Sequence, residues 1–202
     1  MNAILKRLFD IMGASLGIVL LSPVLLAIAL WIMIDSGRPI FYVQDRLGKN
    51  GRVFSMFKFR SMVVNAERME EGLFSYEDDK RISLPGKYIR AASLDELPQL
   101  FNILKGDMAI VGPRPPVTYE LGNYADFDDR LKGRFVMKPG LTGLAQVSGR
   151  NALNWDQKIS YDLEYIERFK KYGILEDIRI IALTPWTVLS MRNTIEKRPD
   201  QD

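Results

Sequence analysis

The longest apolar stretch of the chain runs from Ile11 to Ile34 and carries no charged side chain. As one straight helix it would be about 36 Å long at about 1.5 Å per residue, enough to cross a hydrocarbon core of about 30 Å. A secretory signal has a shorter apolar region and a small-residue cleavage site, whereas this stretch ends in Trp31-Ile32-Met33-Ile34-Asp35. Its length also argues against a buried helix of a soluble protein. The pattern therefore predicts a membrane segment within residues 1–36.

Two features favour a segment that enters the membrane and returns to the same face over one that crosses. Pro23 lies near the middle, where proline removes a helix hydrogen bond, and the Ser22 hydroxyl is placed to bond the freed carbonyl. Basic residues flank both ends, and the positive-inside tendency places both flanks in the cytoplasm. These residues are Lys6, Arg7, Arg38, Arg46, Lys49, Arg52, Lys58 and Arg60. A kinked spanning helix remains the alternative, because membrane helices tolerate proline.

Residues 37–195 predict a small, mainly helical domain with a short β-hairpin, so the fold class expected for the chain is α+β. Ile40–Val43 and Val53–Phe59 have the composition of strands, and Gly48-Lys49-Asn50-Gly51 between them has turn composition. Val63–Glu71 predicts a helix. The charged, turn-rich run Ser75–Pro85 predicts a loop with no regular period.

Helical patterns dominate the second half of the domain. Lys87–Ala92 leads into a helix that ends near Lys105-Gly106, where glycine suits a helix C-terminus. Asp156–Tyr172 has helical periodicity, and a last helical pattern is interrupted at Pro185. The polar tail, residues 196–202, is expected to be disordered.

Composition narrows the chemistry open to this chain. The 28 basic and 25 acidic side chains give a net charge of +3, too small to indicate nucleic-acid binding from charge alone. With no cysteine and no histidine, the chain has neither a disulfide framework nor the usual ligands of structural zinc. An oxygen-ligated Mg²⁺ site remains open. If the chain is an enzyme, a carboxylate is the best candidate for its reactive group.

Asp95 and Glu96 form the most informative polar pair in the sequence. One interpretation is structural, because Ser93-x-x-Glu96 matches a capping box and acids favour the first turn of a helix. Pro98 weakens it, since proline would then occupy the fifth helical position without an N–H to donate. A helix that starts at Pro98 suits proline better and leaves both carboxylates just outside its N-terminus. Two such carboxylates can hold Mg²⁺ while one of them attacks phosphorus.

Cationic side chains in the segments around the pair suit a phosphate substrate. They are Lys58, Arg60, Arg90 and Arg114. Arginine's planar fork matches phosphate oxygens, and Arg114 lies between two prolines that restrict its backbone. Lys58 and Arg60 share one face of the second strand, which is often just the solvated side of a hairpin. Together with the membrane segment, the set predicts phosphoryl chemistry at a membrane surface.

The order of these motifs closely resembles that of the bacterial sugar transferases, the monotopic phosphoglycosyl transferases that initiate glycan assembly on a polyprenol phosphate. The resemblance extends from Lys6-Arg7-Leu8-Phe9-Asp10 to the last helix and matches the small form of the family. The matching motifs are Lys58-Phe59-Arg60-Ser61-Met62, Ile89-Arg90, Ser93-Leu94-Asp95-Glu96-Leu97-Pro98-Gln99-Leu100-Phe101-Asn102, Lys105-Gly106-Asp107-Met108, Val111-Gly112-Pro113-Arg114-Pro115 and Lys138-Pro139-Gly140-Leu141-Thr142-Gly143-Leu144-Ala145-Gln146-Val147-Ser148-Gly149-Arg150-Asn151.

The resemblance implies transfer of a sugar 1-phosphate from a UDP-sugar to undecaprenyl phosphate, with release of UMP. It implies that Asp95 is the nucleophile that forms a covalent phosphosugar intermediate. Glu96 would assist as the neighbouring acid/base, and both carboxylates would associate with Mg²⁺. The residues implied as phosphate or nucleotide contacts are Lys58, Arg90 and Arg114. Ser22-Pro23 would be the break of a re-entrant helix.

The resemblance also implies a location and partners. The protein would lie in the bacterial inner membrane, with membrane phospholipid around residues 1–36 and the catalytic domain, residues 37–195, on the cytoplasmic face. No nucleic acid is expected, and a homodimer is plausible for a small domain held in a plane. The product would start a capsule, exopolysaccharide or lipopolysaccharide. The sequence names neither the sugar nor the pathway, and residues 70–84 receive no assigned role.

Two other functions are compatible with the same residues. A membrane-bound Mg²⁺-dependent phosphohydrolase would use the same nucleophile with water as acceptor, so a requirement for lipid separates the two. A non-enzymatic membrane scaffold would use Asp95 and Glu96 only to cap a helix. In that case Asp95→Asn would leave function intact and cost at most about 1 kcal/mol of stability.

Overall fold

The computed structural model describes residues 3–66, 69 and 79–189, and it has the α+β architecture expected from the sequence. A long helix, α1 (Ala3–Ser36), precedes a hairpin and a helical domain with a second, short sheet. The predicted tail, residues 196–202, lies outside the described residues. The further elements are β1 (Phe41–Leu47), β2 (Val53–Phe59), α2 (Leu84–Ala91), α3 (Gln99–Lys105), β3 (Ala109–Val111), α4 (Asp129–Gly133), β4 (Gly140–Thr142), α5 (Leu144–Ser148), α6 (Trp155–Tyr172) and α7 (Ile174–Leu189).

Helix α1 runs through Pro23 as one continuous element of 34 residues. The Ser22 hydroxyl donates a hydrogen bond of 2.8 Å to the carbonyl of Val19, the group that Pro23 leaves without its helical N–H. The expected serine contact is therefore present, but the proline does not interrupt the helix. The re-entrant path stays a prediction. Among the described residues, α1 is the one helix long and apolar enough to cross a membrane.

Helix α1 has one face on the domain and one face exposed. In its first half, Ala14 belongs to a buried cluster with Leu100 of α3. In its second half, Ile32 belongs to a buried cluster with Phe59 of β2 and Ile89 of α2. The exposed apolar side chains of α1 include Ile4, Leu5, Leu8, Met12, Leu16, Val19, Leu20, Leu26 and Ile34. An apolar exposed face of this length fits a membrane-associated protein.

Buried polar contacts attach the start of α1 to the rest of the domain. Lys6 Nζ lies 2.7 Å from Asp177 Oδ2 of α7. One turn later, Asp10 Oδ1 accepts a hydrogen bond of 3.0 Å from the backbone N–H of Ile110 in β3. All three charged side chains are buried, and the Lys6 ammonium lies between the two carboxylates and reduces the cost of burying them.

Arg7 joins α1 to the C-terminal end of α3. Its guanidinium donates to the carbonyl oxygens of Ile103 at 2.6 Å and Leu104 at 2.8 Å. Carbonyls in the last turn of a helix have no intrahelical N–H partner, so the arginine satisfies groups that would otherwise need water. Helix α3 ends at Gly106 with a φ of 99°, as the glycine at that position predicts.

The predicted hairpin is confirmed. Strands β1 and β2 pair antiparallel, with Phe41 opposite Phe59 and Leu47 opposite Val53. β1 extends beyond the predicted Ile40–Val43, because the alternation of burial continues through its polar second half.

Two predictions for the segment after the hairpin are wrong in their described parts. The helix expected over Val63–Glu71 does not form over residues 63–66, where Asn65 takes a left-handed φ of 63° that an α-helix excludes. The loop expected over Ser75–Pro85 ends early, because Ser83 caps α2 and Pro85 fits its first turn. The remainder of both segments, except for residue 69 and residues 79–83, lies outside the described residues.

The second sheet is one that patterning did not predict. Strands β3 and β4 pair in parallel, with Ala109 opposite Gly140 and Val111 opposite Thr142. Helix α6 agrees with the helix predicted from the sequence, whereas α7 continues through Pro185, so the interruption expected there is wrong. A proline has a helical φ and gives up a single hydrogen bond, here to the carbonyl of Ile181, which α7 tolerates.

Candidate active site

The two carboxylates lie on a short 3₁₀ turn, Leu94–Glu96, immediately before α3. Ser93 precedes the turn in the left-handed region, with φ of 55°, and its side chain makes no capping hydrogen bond. Its hydroxyl instead accepts a hydrogen bond of 2.7 Å from Arg150 Nη2. The capping box that would explain Glu96 structurally is therefore not formed. Helix α3 starts at Gln99 with Pro98 as its N-cap, one residue later than predicted, and both carboxylates lie outside its N-terminus as expected.

One large cavity brings the predicted residues together. Its volume is about 1140 Å³, and Asp95 and Glu96 lie on its wall. The cations that line it include Arg46, Lys58, Arg60, Arg90, Arg114, Arg134, Arg150 and Lys158. Cations therefore outnumber carboxylates around this cavity, and an anionic ligand suits such a field.

Glu96 is held by two cations. Its Oε1 lies 2.9 Å from Lys58 Nζ and 2.8 Å from Arg114 Nη2, and its Oε2 accepts from Arg114 Nη1 at 3.3 Å. Burial raises the pKa of Glu96, but Arg114 and Lys58 outweigh it and hold that pKa well below the usual range. Glu96 is therefore an ionised group with a fixed position.

Asp95 has a carboxylate that is buried but unpaired among the described residues. It is 8% exposed, and within the described parts of the chain no hydrogen bond or ion pair reaches its carboxylate. Burial raises its pKa, with Lys58 opposing the shift and Glu96 adding to it. The pKa values of two adjacent carboxylates are thus shifted in opposite directions, and only Glu96 is paired within the described chain, which gives the two groups different chemical roles. Asp95 is the one whose oxygens remain available.

Arg114 is positioned from behind by a buried ion pair. Its backbone carbonyl accepts a hydrogen bond of 2.8 Å from Arg134 Nη2, and the same nitrogen lies 2.7 Å from Asp162 Oδ2. Both residues of the pair are almost fully buried. Glu96 raises the pKa of the Arg114 guanidinium, so it stays charged. The Arg134–Asp162 pair therefore fixes the backbone of Arg114, whose guanidinium contacts Glu96.

The other two predicted cations, Arg60 and Arg90, make their hydrogen bonds to groups other than the two carboxylates. Arg60 is buried and donates from Nη2 to the carbonyls of Ser36 and Gly37, at 2.9 Å and 3.0 Å, at the end of α1. These contacts favour a structural role at the helix C-terminus over the predicted phosphate contact. Arg90 makes a long 3.4 Å contact from Nη1 to the Ser61 hydroxyl and lines the cavity.

Four of the cations that line the cavity were not selected as site residues from the sequence: Arg46, Arg134, Arg150 and Lys158. Arg46 of β1 donates to the carbonyl of Pro115 at 3.0 Å, and burial, together with Arg114, lowers its pKa to about 10. Arg150 contacts the turn that carries the carboxylates, as described above. A signal existed for Arg150, because it lies in a family motif, whereas Arg46 was assigned only to the basic residues that flank the membrane segment.

The residues present can hold Mg²⁺ if substrate phosphates supply the remaining ligands. In the described ranges no group of three or more metal-binding side chains occurs. Mg²⁺ is commonly held by one or two carboxylates together with substrate phosphates. Asp95 offers an unengaged carboxylate, while Glu96 is already paired with two cations.

Comparison with known proteins places this chain among sugar transferases. A family model described as "Bacterial sugar transferase" matches residues 1–191. The chain is 43% identical over 199 residues to "Galactosyl transferase CpsE" of Streptococcus agalactiae, covering 93% of this chain and 43% of that protein. It is 41% identical over 200 residues to "Undecaprenyl-phosphate galactose phosphotransferase" of Salmonella typhimurium, covering 92% of this chain and 40% of that protein.

A shorter relative is covered almost completely. The chain is 38% identical over 197 residues to "Exopolysaccharide production protein ExoY" of Sinorhizobium fredii, covering 91% of this chain and 84% of that protein. By contrast, it spans less than half the length of the two longer relatives. The similarity therefore concerns the part of those proteins that corresponds to this chain.

Proposed function

Because this chain belongs to the bacterial sugar transferase family, we propose that it transfers a sugar 1-phosphate from a UDP-sugar to undecaprenyl phosphate and releases UMP. The observation that carries the proposal is the asymmetric carboxylate pair, with Asp95 unengaged and Glu96 held by Lys58 and Arg114. The name of the Salmonella relative supports the lipid acceptor and the phosphotransfer. The step would start assembly of a surface glycan.

Asp95 is the nucleophile in this mechanism. One of its carboxylate oxygens forms a bond to the β-phosphorus of the donor, while the bond from that phosphorus to the bridging oxygen breaks. UMP leaves with the bridging oxygen and the bonding electrons. A phosphate oxygen of the acceptor then attacks the same phosphorus, and the carboxylate of Asp95 departs unchanged. A covalent intermediate lets the two anionic substrates use one site in turn.

The neighbouring groups prepare that attack. Arg114 and Lys58 supply fixed positive charge to the donor phosphates, and Glu96 keeps both cations in place through its short contacts. Arg90 and Arg150 are further donors on the cavity wall. Asp95 and the diphosphate would hold Mg²⁺, with Glu96 beside it, and the ion would reduce the negative charge of the donor and stabilise the departing UMP.

We propose that α1 enters the membrane and returns to the face on which the domain lies. Both halves of the helix pack against the same domain, through Ala14 in one half and Ile32 in the other. A domain that stays in water on one side keeps both ends of α1 on that side. The basic flanks predict that this is the cytoplasmic face of the bacterial inner membrane, with phospholipid around the exposed face of α1. A homodimer stays a prediction.

The direct test measures UMP release from a panel of UDP-sugars with Mg²⁺ and undecaprenyl phosphate in detergent. We expect one or few donors to be used, release to require the lipid for repeated turnover, and EDTA to abolish it. Asp95→Asn should lower turnover at least about 1,000-fold, because a nucleophile has been removed. Its unfolding free energy should change by at most about 1 kcal/mol.

The control is Glu167→Gln, which changes an exposed carboxylate of α6. It should leave UMP release unchanged. Steady UMP or phosphate release without lipid would favour the phosphohydrolase. Full function of Asp95→Asn would favour the scaffold.

A further inference from the structure

The cavity has an apolar end as well as a cationic one. Five described residues of α7 line it: Ile181, Thr184, Pro185, Thr187 and Val188. Ile181, Thr184, Pro185 and Val188 form one set among them. Their spacing of three, one and three residues places them on one face of the helix. We call this face the α7 strip. It belongs to the same cavity as Asp95 and Glu96.

The α7 strip presents almost no unsatisfied polar group. The Thr184 hydroxyl donates to the carbonyl of Ile180 at 2.8 Å and is paired with the Thr142 hydroxyl, also at 2.8 Å. Pro185 has no N–H, and Ile181 and Val188 are aliphatic. Such a surface gives nothing to a nucleotide or a sugar, which need hydrogen-bond partners, and it suits a hydrocarbon.

The facing wall leads from this end towards the membrane helix. Leu21 of α1, Ile110 of β3 and Leu141 of β4 also line the cavity. On α1, Leu21 is partly buried and packs against the cluster that contains Leu100 and Met108. Apolar side chains of α1, β3 and β4 therefore line the same cavity as the carboxylates.

The cavity is also large for the donor alone. Pockets for small molecules usually have volumes of about 300–1,000 Å³. The volume of this cavity, about 1140 Å³, exceeds that range. The cationic part is suited to the diphosphate of the donor, and the apolar part remains for a second, hydrocarbon ligand.

We propose that the α7 strip holds the first isoprene units of the acceptor, those nearest its phosphate, and so selects an isoprenoid phosphate from other lipid phosphates. This inference rests on the proposed function. The strip, Leu21 and Leu141 would grip the chain while its phosphate reaches the phosphosugar on Asp95. The rest of the long chain stays in the membrane.

The test separates the two half-reactions. In Val188→Asp, single-turnover UMP release from the UDP-sugar without acceptor should equal that of the wild type, because the donor does not touch the strip. The KM for undecaprenyl phosphate should rise at least about tenfold, since a carboxylate would be buried against hydrocarbon. The short, soluble geranyl phosphate should show the same rise, because it contains the units nearest the phosphate.

Two further variants keep the proposal open to refutation. Leu183→Asp places the same charge on the same helix, at an exposed position outside the cavity lining, and should not change either KM. Val188→Thr, of similar volume, should raise both KM values by a smaller factor if Val188→Asp does not fold.

The outcomes can be told apart. Equal effects of Leu183→Asp and Val188→Asp would overturn the proposal, as would an effect seen with undecaprenyl phosphate but not with geranyl phosphate. Either result would make α7 a membrane contact. No UMP release from the wild type with any donor would instead refute the proposed function on which the inference rests.

Discussion

At the scale of single residues, Asp95 and Glu96 show how neighbours with the same functional group acquire different roles. Glu96 is paired with Arg114 and Lys58, which hold its pKa well below the usual range. Asp95 has no such partner in the described chain, and its burial raises its pKa. An unpaired and partly desolvated carboxylate is the better nucleophile, because no hydrogen bond must break before it attacks.

Lys58→Met tests this division of roles. Lys58 lowers the pKa of Asp95, so its removal should raise that pKa further. The ionised carboxylate is the reactive form, and the acid limb of the kcat/KM profile should therefore move to higher pH. Single-turnover UMP release measured across the acid range gives the midpoint. The control Lys170→Met, at an exposed position, should leave the midpoint of the acid limb unchanged. An unchanged midpoint in Lys58→Met would contradict the role of Asp95 as the nucleophile.

Asp162 gives a prediction about stability. Burial raises its pKa from 3.8 to about 6, although Arg134 opposes the shift. The folded pKa is above the unfolded one, so the stabilising contribution is complete below a pH of about 4 and is lost as pH rises through about 6. Asp162→Asn cannot ionise. The unfolding free energy of Asp162→Asn minus that of the wild type should therefore increase by up to about 3 kcal/mol as the pH rises from about 4 to neutral.

Urea unfolding of both proteins across this pH range measures the difference. A difference that does not change with pH would show that Arg134 compensates the carboxylate fully. In that case the support beneath Arg114 would be an ion pair at all pH values.

Residue-level sequence reasoning found the carboxylates and three of the cations that surround them, because motif order and residue type carried the signal. It also selected Arg60, which the structure engages with the end of α1. A strand pattern gives the face of a side chain but not the helix terminus packed on that face. The contact of Arg150 with Ser93 joins distant segments and has no local signature.

At the scale of elements, periodicity predicted the hairpin and α6 well, since each has enough residues for a period to be recognised. Strands β3 and β4 have three residues each, and no pattern can be read from so few. The helix expected after the hairpin fails at Asn65, whose left-handed backbone is a property of the folded turn. Pro185 shows the opposite error, because packing of α7 outweighs one lost hydrogen bond.

At the scale of the whole molecule, α1 determines how the domain meets the bilayer. Its packed face extends from Lys6 to Ile32, about 40 Å along the helix. Because both halves of α1 pack on the same domain, the helix does not leave that domain as a separate span. This is the physical reason for expecting both of its ends on one side.

Topology can be measured cleanly because the chain contains no cysteine. Single cysteines introduced as Ala3→Cys or Arg52→Cys flank α1 on its two sides. In oriented inner-membrane vesicles both should react with an impermeant maleimide from the cytoplasmic face alone. Combined with Pro23→Leu, the Ala3→Cys label should become partly protected, because a stronger central helix favours crossing. If the cysteines at positions 3 and 52, with Pro23 retained, were labelled from opposite faces, α1 would be a spanning helix.

The contact of Arg7 with the end of α3 has a consequence for where the reaction takes place. Helix α3 begins directly after the carboxylates, and Arg7 fastens its other end to the membrane helix. The carboxylates are therefore held at a fixed distance from α1, and so at a fixed height relative to the bilayer. In the proposed reaction an acceptor must present its phosphate at that height, so the depth of a lipid in the membrane becomes a criterion of selection in addition to its chemistry.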